Sequence, residues 1–168
     1  MTAITNKASS TGKIWSVING NCMIPLIATG DIVMIDPVKE LKSGDLILVH
    51  GDPPMVHRVV KISRDGYVIT KGDASFTLDD PVQVGSIAGK VRAIVRKNRK
   101  TVFIKGAGWQ LVNSLIANYS YSSYYLFNNL SKHKWSSSLC HFFSPLMIRF
   151  HTAILKVISL MIFNRTKV

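Results

Sequence analysis

GNCMIPLIATGDIVMID, residues 20–36, places a glycine-asparagine turn, a cysteine, a proline, a Gly30-Asp31 turn and an apolar run in one unbroken stretch. Pro25 fixes the backbone three residues after Cys22, so the thiol sits on a constrained segment able to present it at a surface. Taken by itself, Cys22 reads as a small buried hydrophobe. The Gly-Asp turn opens a strand at Ile32–Ile35. Working outward, short apolar runs recur at Leu46–Val49, Val56–Ile62, Tyr67–Thr70 and Val91–Val95. Gly44-Asp45, Pro53-Pro54 and Asp65-Gly66 punctuate them, and this spacing predicts a compact all-β unit. Asp65-Gly66 between VVKISR and YVIT is the clearest hairpin. A basic hairpin at Arg96–Lys100 is expected to join Val91–Val95 to Thr101–Ile104.

The character changes at Gly106-Ala107-Gly108. Apolar and aromatic segments beyond it predict helices over 109–118, 119–130 and 141–163, with SKHKWSSS separating the last two. The 141–163 segment is long and apolar, but Arg149 and Lys156 fall on one helical face with His151 close by. It reads as an amphipathic helix, packed on its own core or laid on a membrane surface or partner groove, rather than as a span. The organisation expected is a polar lead-in over 1–12, a β core over 13–106 and a basic helical tail over 107–168.

Charge is unevenly spread along the 168 residues. Residues 1–80 carry 8 Lys/Arg and 9 Asp/Glu, whereas residues 81–168 carry 13 Lys/Arg and no acid. The acid-free half suits an anionic surface or an acidic partner as well as plain solvent. Two widely separated cysteines, Cys22 and Cys140, make no disulfide framework and no zinc-ligand spacing, so neither a structural metal nor a cofactor is expected. A reducing compartment fits, and the polar N-terminal stretch lacks a secretory or anchoring apolar run. The expected location is cytoplasmic, with membrane association through the C-terminal region as an option.

Two further segments carry chemistry. In PPMVHRVVKI, His57 follows Cys22 by 35 residues and shares a strand face with Met55 and Val59, while Arg58 points the other way. An imidazole there needs a hydrogen-bond partner, and a nearby thiol would supply one by giving up its proton. ITKGDASFTLDD carries Asp73, Asp79 and Asp80, any of which is a plain solvated acid on its own. A carboxylate reaching the far ring nitrogen of His57 would fix its tautomer and orientation.

Together these segments resemble the signal peptidase I family. GNCMIPLIATGDIVMI is similar to its nucleophile box, with Cys22 in place of the serine, and MVHRVVKI to the following box in its histidine version. ITKGDASFTLDD and SIAGKVRAIV are similar to the KGD segment and the closing strand. The resemblance spans about residues 18–95. It implies a mainly β fold, a signal-peptidase/LexA-like β-rich core, here with a C-terminal helical appendage. It makes Cys22 the nucleophile, His57 the base and then acid, and Asp79 or Asp80 the orienting group. Counting from Asp73 without a gap favours Asp79, and matching the Asp-Pro pattern favours Asp80. Asp73 would tie down the active-site turn, with Met23, Pro25 and Arg58 in support. Gly20 stands where family members often carry a hydroxyl that assists the oxyanion.

The activity implied is an S24/S26-type endopeptidase that removes a leader or signal-like segment through an acyl-enzyme. Its substrate would be a protein or peptide with small residues before the cut. The alternatives are an inactive binding module on the same fold and a LexA-like repressor relative. The repressor reading lacks a separate helix-turn-helix, since the lead-in is too short to hold one, and nucleic acid is not an expected partner.

Overall fold

The computed structural model describes residues 7–8, 14–51, 53–75, 77–132 and 153. Among the described residues the protein is mainly β, with one long helix. Nine strands are formed among them: β1 Lys7–Ala8, β2 Ile14–Val17, β3 Ile32–Asp36, β4 Leu46–Val49, β5 Met55–Ile62, β6 Tyr67–Lys71, β7 Val82–Gln83, β8 Ile87–Val95 and β9 Thr101–Phe103. A 3₁₀ turn at Val84–Ser86 precedes β8, and helix α1 runs Ala107–Lys132.

All pairings are antiparallel, in the order β1-β2-β3-β8-β4-β5-β6-β7, with β9 also on β8. β8 is long enough to serve three neighbours: it pairs with β3 at 90–95, with β4 at 87–90 and with β9 at 93–95. Bulges at Met34/Ile35, Leu48/Val49 and Val59/Lys61 break the register. Such breaks bend strands and increase twist, which lets a sheet curl over its own core. Every residue of β4 is buried: Leu46 and Leu48 join a cluster with Met23, Ile27 and Ile94, and Ile47 and Val49 join another with Val59 and Val68. Both faces of β4 are therefore covered, so its sequence is continuously apolar rather than alternating.

The strands expected from sequence are present, and the Asp65-Gly66 turn joins β5 to β6 with Gly66 at φ +78. Three differences have physical reasons. The sheet starts earlier than its apolar pattern, because Lys7–Ala8 within the polar stretch pairs with β2, and backbone pairing needs no apolar pattern. The closing strand starts at Ile87, not Val91, since its first half is set by pairing with β4. The expected helices 109–118 and 119–130 are one continuous helix, since nothing around Asn118–Tyr119 interrupts the backbone hydrogen bonding. The expected 141–163 helix lies, apart from Ala153, outside the described residues. Among the described residues no helix is long and apolar enough to cross a membrane.

Helix α1 is seated on the sheet by specific contacts. Ile116, Ala117 and Ser120 are buried, Asn113 reaches the core, and the Ser114 hydroxyl donates to Ser43 O at 3.2 Å. Gly44, at φ +96, lies so close to the helix that a Cβ there would fall 2.6 Å from the Asn113 carbonyl carbon. Only glycine fits both that backbone conformation and that approach.

Candidate active site

Cys22 lies in the turns between β2 and β3. The segment is tied from both ends: Ile18 N–H donates to Asp31 O at 2.9 Å and Gly30 N–H to Ile18 O at 2.8 Å. The Thr29 hydroxyl bridges the Gly20 carbonyl, at 3.0 Å, and the Asn21 side chain, at 3.1 Å. Met23 is buried beside Cys22, Leu26 and Ile27 are buried in the same core, and the Ile24–Pro25 peptide is cis. The apolar side chains after the cysteine thus anchor the turn, leaving Cys22 half-buried with a free thiol.

His57 and Arg58 are neighbours on β5 with opposite orientations, as strand geometry requires. Arg58 pairs in register with Lys71, which places His57 across from Gly72. A Cβ on Gly72 would lie 3.0 Å from Cys22 Cβ, 2.8 Å from Cys22 O and 3.3 Å from His57 Nε2. The missing side chain at Gly72 is what lets the cysteine turn and the imidazole meet. Backbone bonding completes the junction, with Ala74 N–H donating to Cys22 O at 2.8 Å.

The other ring nitrogen, His57 Nδ1, lies 2.5 Å from Asp79 Oδ2. The Thr70 hydroxyl donates to the same oxygen at 2.7 Å, and Asp79 N–H donates to Thr70 O at 2.9 Å. Asp79 is therefore held by β6 from both backbone and side chain, whereas Asp80 is exposed to solvent. Of the two carboxylates left open by sequence, Asp79 is the one the structure brings to His57. Its neighbour cannot share that place because consecutive side chains in the extended segment diverge.

Asp73 lies on the far side of the strand. It takes both guanidinium branches of Arg58 at 2.7 Å, and the pair is almost fully buried. Arg58 Nη1 also donates to Gly44 O at 3.0 Å and to the Asn113 side-chain oxygen at 2.8 Å, so its polar valences are met inside the protein. The Asp73 N–H points at Met23 Sδ, 3.5 Å away. Asp73 and Arg58 thus brace the turn beneath Cys22.

Electrostatics follow from these contacts. Burial disfavours a charged His57 ring, but the hydrogen bond to Asp79, then that to Cys22, outweighs it and raises its pKa from 6.5 to about 9. Burial likewise works against the Asp79 carboxylate. The bonds from His57 and Thr70, with the charge of Lys71, outweigh it and hold Asp79 below the usual carboxylate range. A thiol, an imidazole and an ionised carboxylate in line can pass a proton from sulfur to nitrogen while the carboxylate holds the ring. Among the described residues no group of three or more His, Cys, Asp or Glu gathers where a metal would sit.

A cleft of about 130 Å³ opens beside Cys22, between residues 17–20 on one side and 53–56 on the other. Pro53, Pro54 and Met55 supply much of its apolar wall. Sequence reasoning missed Thr70, Lys71 and Asn113. Thr70 and Lys71 stand in the ITKGD stretch already singled out, but nothing local distinguishes them, and Asn113 lies 55 residues beyond Arg58 on another element.

Residues 3–74 match the Peptidase S24-like family, which is less than half of the chain. The matched stretch contains Cys22, His57 and Asp73 and ends before Asp79. Neither the curated proteins nor the solved structures contain a match to this chain.

Proposed function

We propose that this chain is a peptidase of the S24/S26 type that cuts a leader or signal-like segment through Cys22, His57 and Asp79. The observation that carries the reading is the meeting of Cys22 and His57 over Gly72, with Asp79 on the opposite ring nitrogen. The likeness of residues 3–74 to the S24-like family supports the reaction class.

In this reading the proton rests on His57 at neutral pH, in keeping with its raised affinity, and the Cys22 thiolate attacks the substrate carbonyl. A tetrahedral intermediate forms and collapses. The amide C–N bond breaks as the imidazolium gives its proton to the departing amine, and a thioester remains on Cys22. Water then attacks the thioester, neutral His57 accepts its proton, and the acid product leaves with the thiolate restored. Asp79 keeps the imidazole oriented throughout and stays ionised. The small cleft beside Cys22 suits a small side chain just before the cut, and the basic 141–163 segment is a contact for a membrane surface or partner.

One observation favours the alternative of an inactive binding module. The Gly20 N–H, close to the nucleophile, is already donated to the Thr29 hydroxyl at 3.1 Å, so it is not available to an oxyanion. Mass spectrometry of candidate leader peptides incubated with wild type, Cys22→Ser and Cys22→Ala separates the two. Cleavage by wild type and none by Cys22→Ala is expected. Activity surviving in Cys22→Ala would end the proposed mechanism, and partner binding retained in Cys22→Ala without any cleavage by wild type would establish the binding module.

A further inference from the structure

The basic turn RKNRK, residues 96–100, joins β8 to β9, and the reaction described above does not use it. Backbone bonds close it, from Arg96 N–H to Lys100 O at 2.9 Å and from Arg99 N–H to Arg96 O at 2.8 Å. Arg99 adopts φ +62, alone among the described residues other than glycine in the left-handed region. Glycine or asparagine is at home there, so the backbone of the turn does not call for arginine. A residue kept where the backbone disfavours it points to a use for its side chain.

The cations of the turn divide into one that faces inward and three that do not. Arg96 Nη1 donates to Asp31 Oδ2 at 2.5 Å, and the same oxygen accepts the Ala28 N–H at 3.0 Å while the Asp31 carbonyl accepts the Ile18 N–H. The turn is thereby fastened to the segment that carries Cys22. The Lys97 side chain lies against Gly30, where a Cβ would fall 2.2 Å from its Cε, and the Gly30 N–H donates to the carbonyl of Ile18, a residue of the cleft wall. Lys97, Arg99 and Lys100 are exposed, and among the described residues none of them is paired with a carboxylate. Asp31 and Asp36, the acids at either end of β3, are taken by Arg96 and Arg92. Residues 81–168 supply no other acid.

We propose that this turn is an exosite of the peptidase, at which Lys97, Arg99 and Lys100 dock acidic side chains of the polypeptide that is cut. The proposal rests on the peptidase reading and adds a substrate class to it, a segment carrying aspartate or glutamate outside the stretch that fills the cleft. The fastening through Asp31 favours a polypeptide over a lipid surface. A chain that meets both the turn and the cleft is held in register with the thiol, and the first contact raises the effective concentration of the second.

The test uses the full chain as Cys22→Ala, which leaves bound peptide uncut, with a fluorescent Glu-Ala repeat peptide, its Gln-Ala counterpart and phosphatidylserine vesicles as probes. The turn variant combines Lys97→Gln, Arg99→Asn and Lys100→Gln, and a control of equal charge combines Lys39→Gln, Lys61→Gln and Arg64→Gln at exposed positions elsewhere. The Glu-Ala peptide is expected to bind tighter than the Gln-Ala peptide, to weaken with salt, and to lose at least about tenfold in affinity in the turn variant, the combined worth of three exposed ion pairs. The control, and a variant that keeps the charge through Lys97→Arg and Lys100→Arg, are expected to bind as wild type does. Equal losses in the turn variant and the control would overturn the proposal, since net charge alone would then account for binding. So would vesicle binding lost in the turn variant without any preference for the Glu-Ala peptide, which would assign the turn to a membrane. With Cys22 restored, leader peptides bearing a glutamate run should show a raised KM and an unchanged kcat in the turn variant, and an unmoved KM would also overturn the proposal. The peptidase reading fails on a separate observation, namely a wild type that binds the Glu-Ala peptide through the turn and cuts none of the leader peptides.

Discussion

His57 and Arg58 are adjacent on one strand, face opposite ways, and each meets a carboxylate from the same short segment, yet the two pairs do different work. Arg58 and Asp73 are sealed, with side chains 0% and 2% exposed, and are tied to the β3–β4 connection at Gly44 and to helix α1 at Asn113. A guanidinium is not deprotonated at working pH, so this pair is a fixed brace. His57 and Asp79 sit nearer the surface, with side chains 9% and 20% exposed, beside a thiol and an open cleft. The imidazole can take up and release a proton. One strand thus carries a sealed ion pair on one face and a titratable imidazole on the other, and Asp73 and Asp79 supply the two carboxylates.

Breaking the brace is expected to have the largest effect. Asp73→Ala leaves a buried guanidinium without its anion, which typically costs about 3–5 kcal/mol, read as a lower denaturant midpoint. An unchanged midpoint would mean that the brace bears no weight.

The chemical pair is expected to show itself through pH. The His57 pKa is raised on folding, so its contribution is fully present below about pH 6.5 and is lost as pH rises through about 9. The shift corresponds to up to about 3 kcal/mol. Denaturation measured from pH 6 to 10 should show this loss in wild type and lack it in His57→Gln. Lys71 works in the opposite direction above pH 8 and is common to both proteins, so their difference isolates His57.

A smaller effect is expected at the junction of Cys22 and His57. Gly72→Ala puts a Cβ into the Cys22 turn, and displacement of the thiol from His57 should lower Cys22 alkylation about tenfold, near 1.4 kcal/mol in barrier. A wild-type rate would show that the two side chains need not meet there. The smallest effect belongs to Thr70→Val, which removes one hydrogen bond to Asp79, worth about 1 kcal/mol. The Asp79 titration midpoint should rise, and an unmoved midpoint would remove Thr70 from the account.

The same contrast shows what is legible in the residues. β4, β5 and β6 stand out because apolar runs bounded by Gly-Asp and Asp-Gly turns fit a buried strand and little else. β1 and β7 are two-residue strands made by backbone pairing, which leaves no side-chain pattern to read. In the site, Cys22 and His57 are visible because their flanking segments are distinctive. The preference for Asp79 over Asp80 depends on how Asp79 docks on β6, which Thr70 fixes through its backbone and hydroxyl. The Arg58 contact with Asn113 comes from docking α1 onto the sheet, and such distant pairings leave no trace in either local sequence.

Activation of Cys22 by His57 is read out by alkylation of Cys22 with iodoacetamide at pH 7 in a Cys140→Ser background. Modification faster than that of a free cysteine is expected, falling at least about tenfold in His57→Ala while the protein remains folded. Equal rates in the two proteins would contradict it.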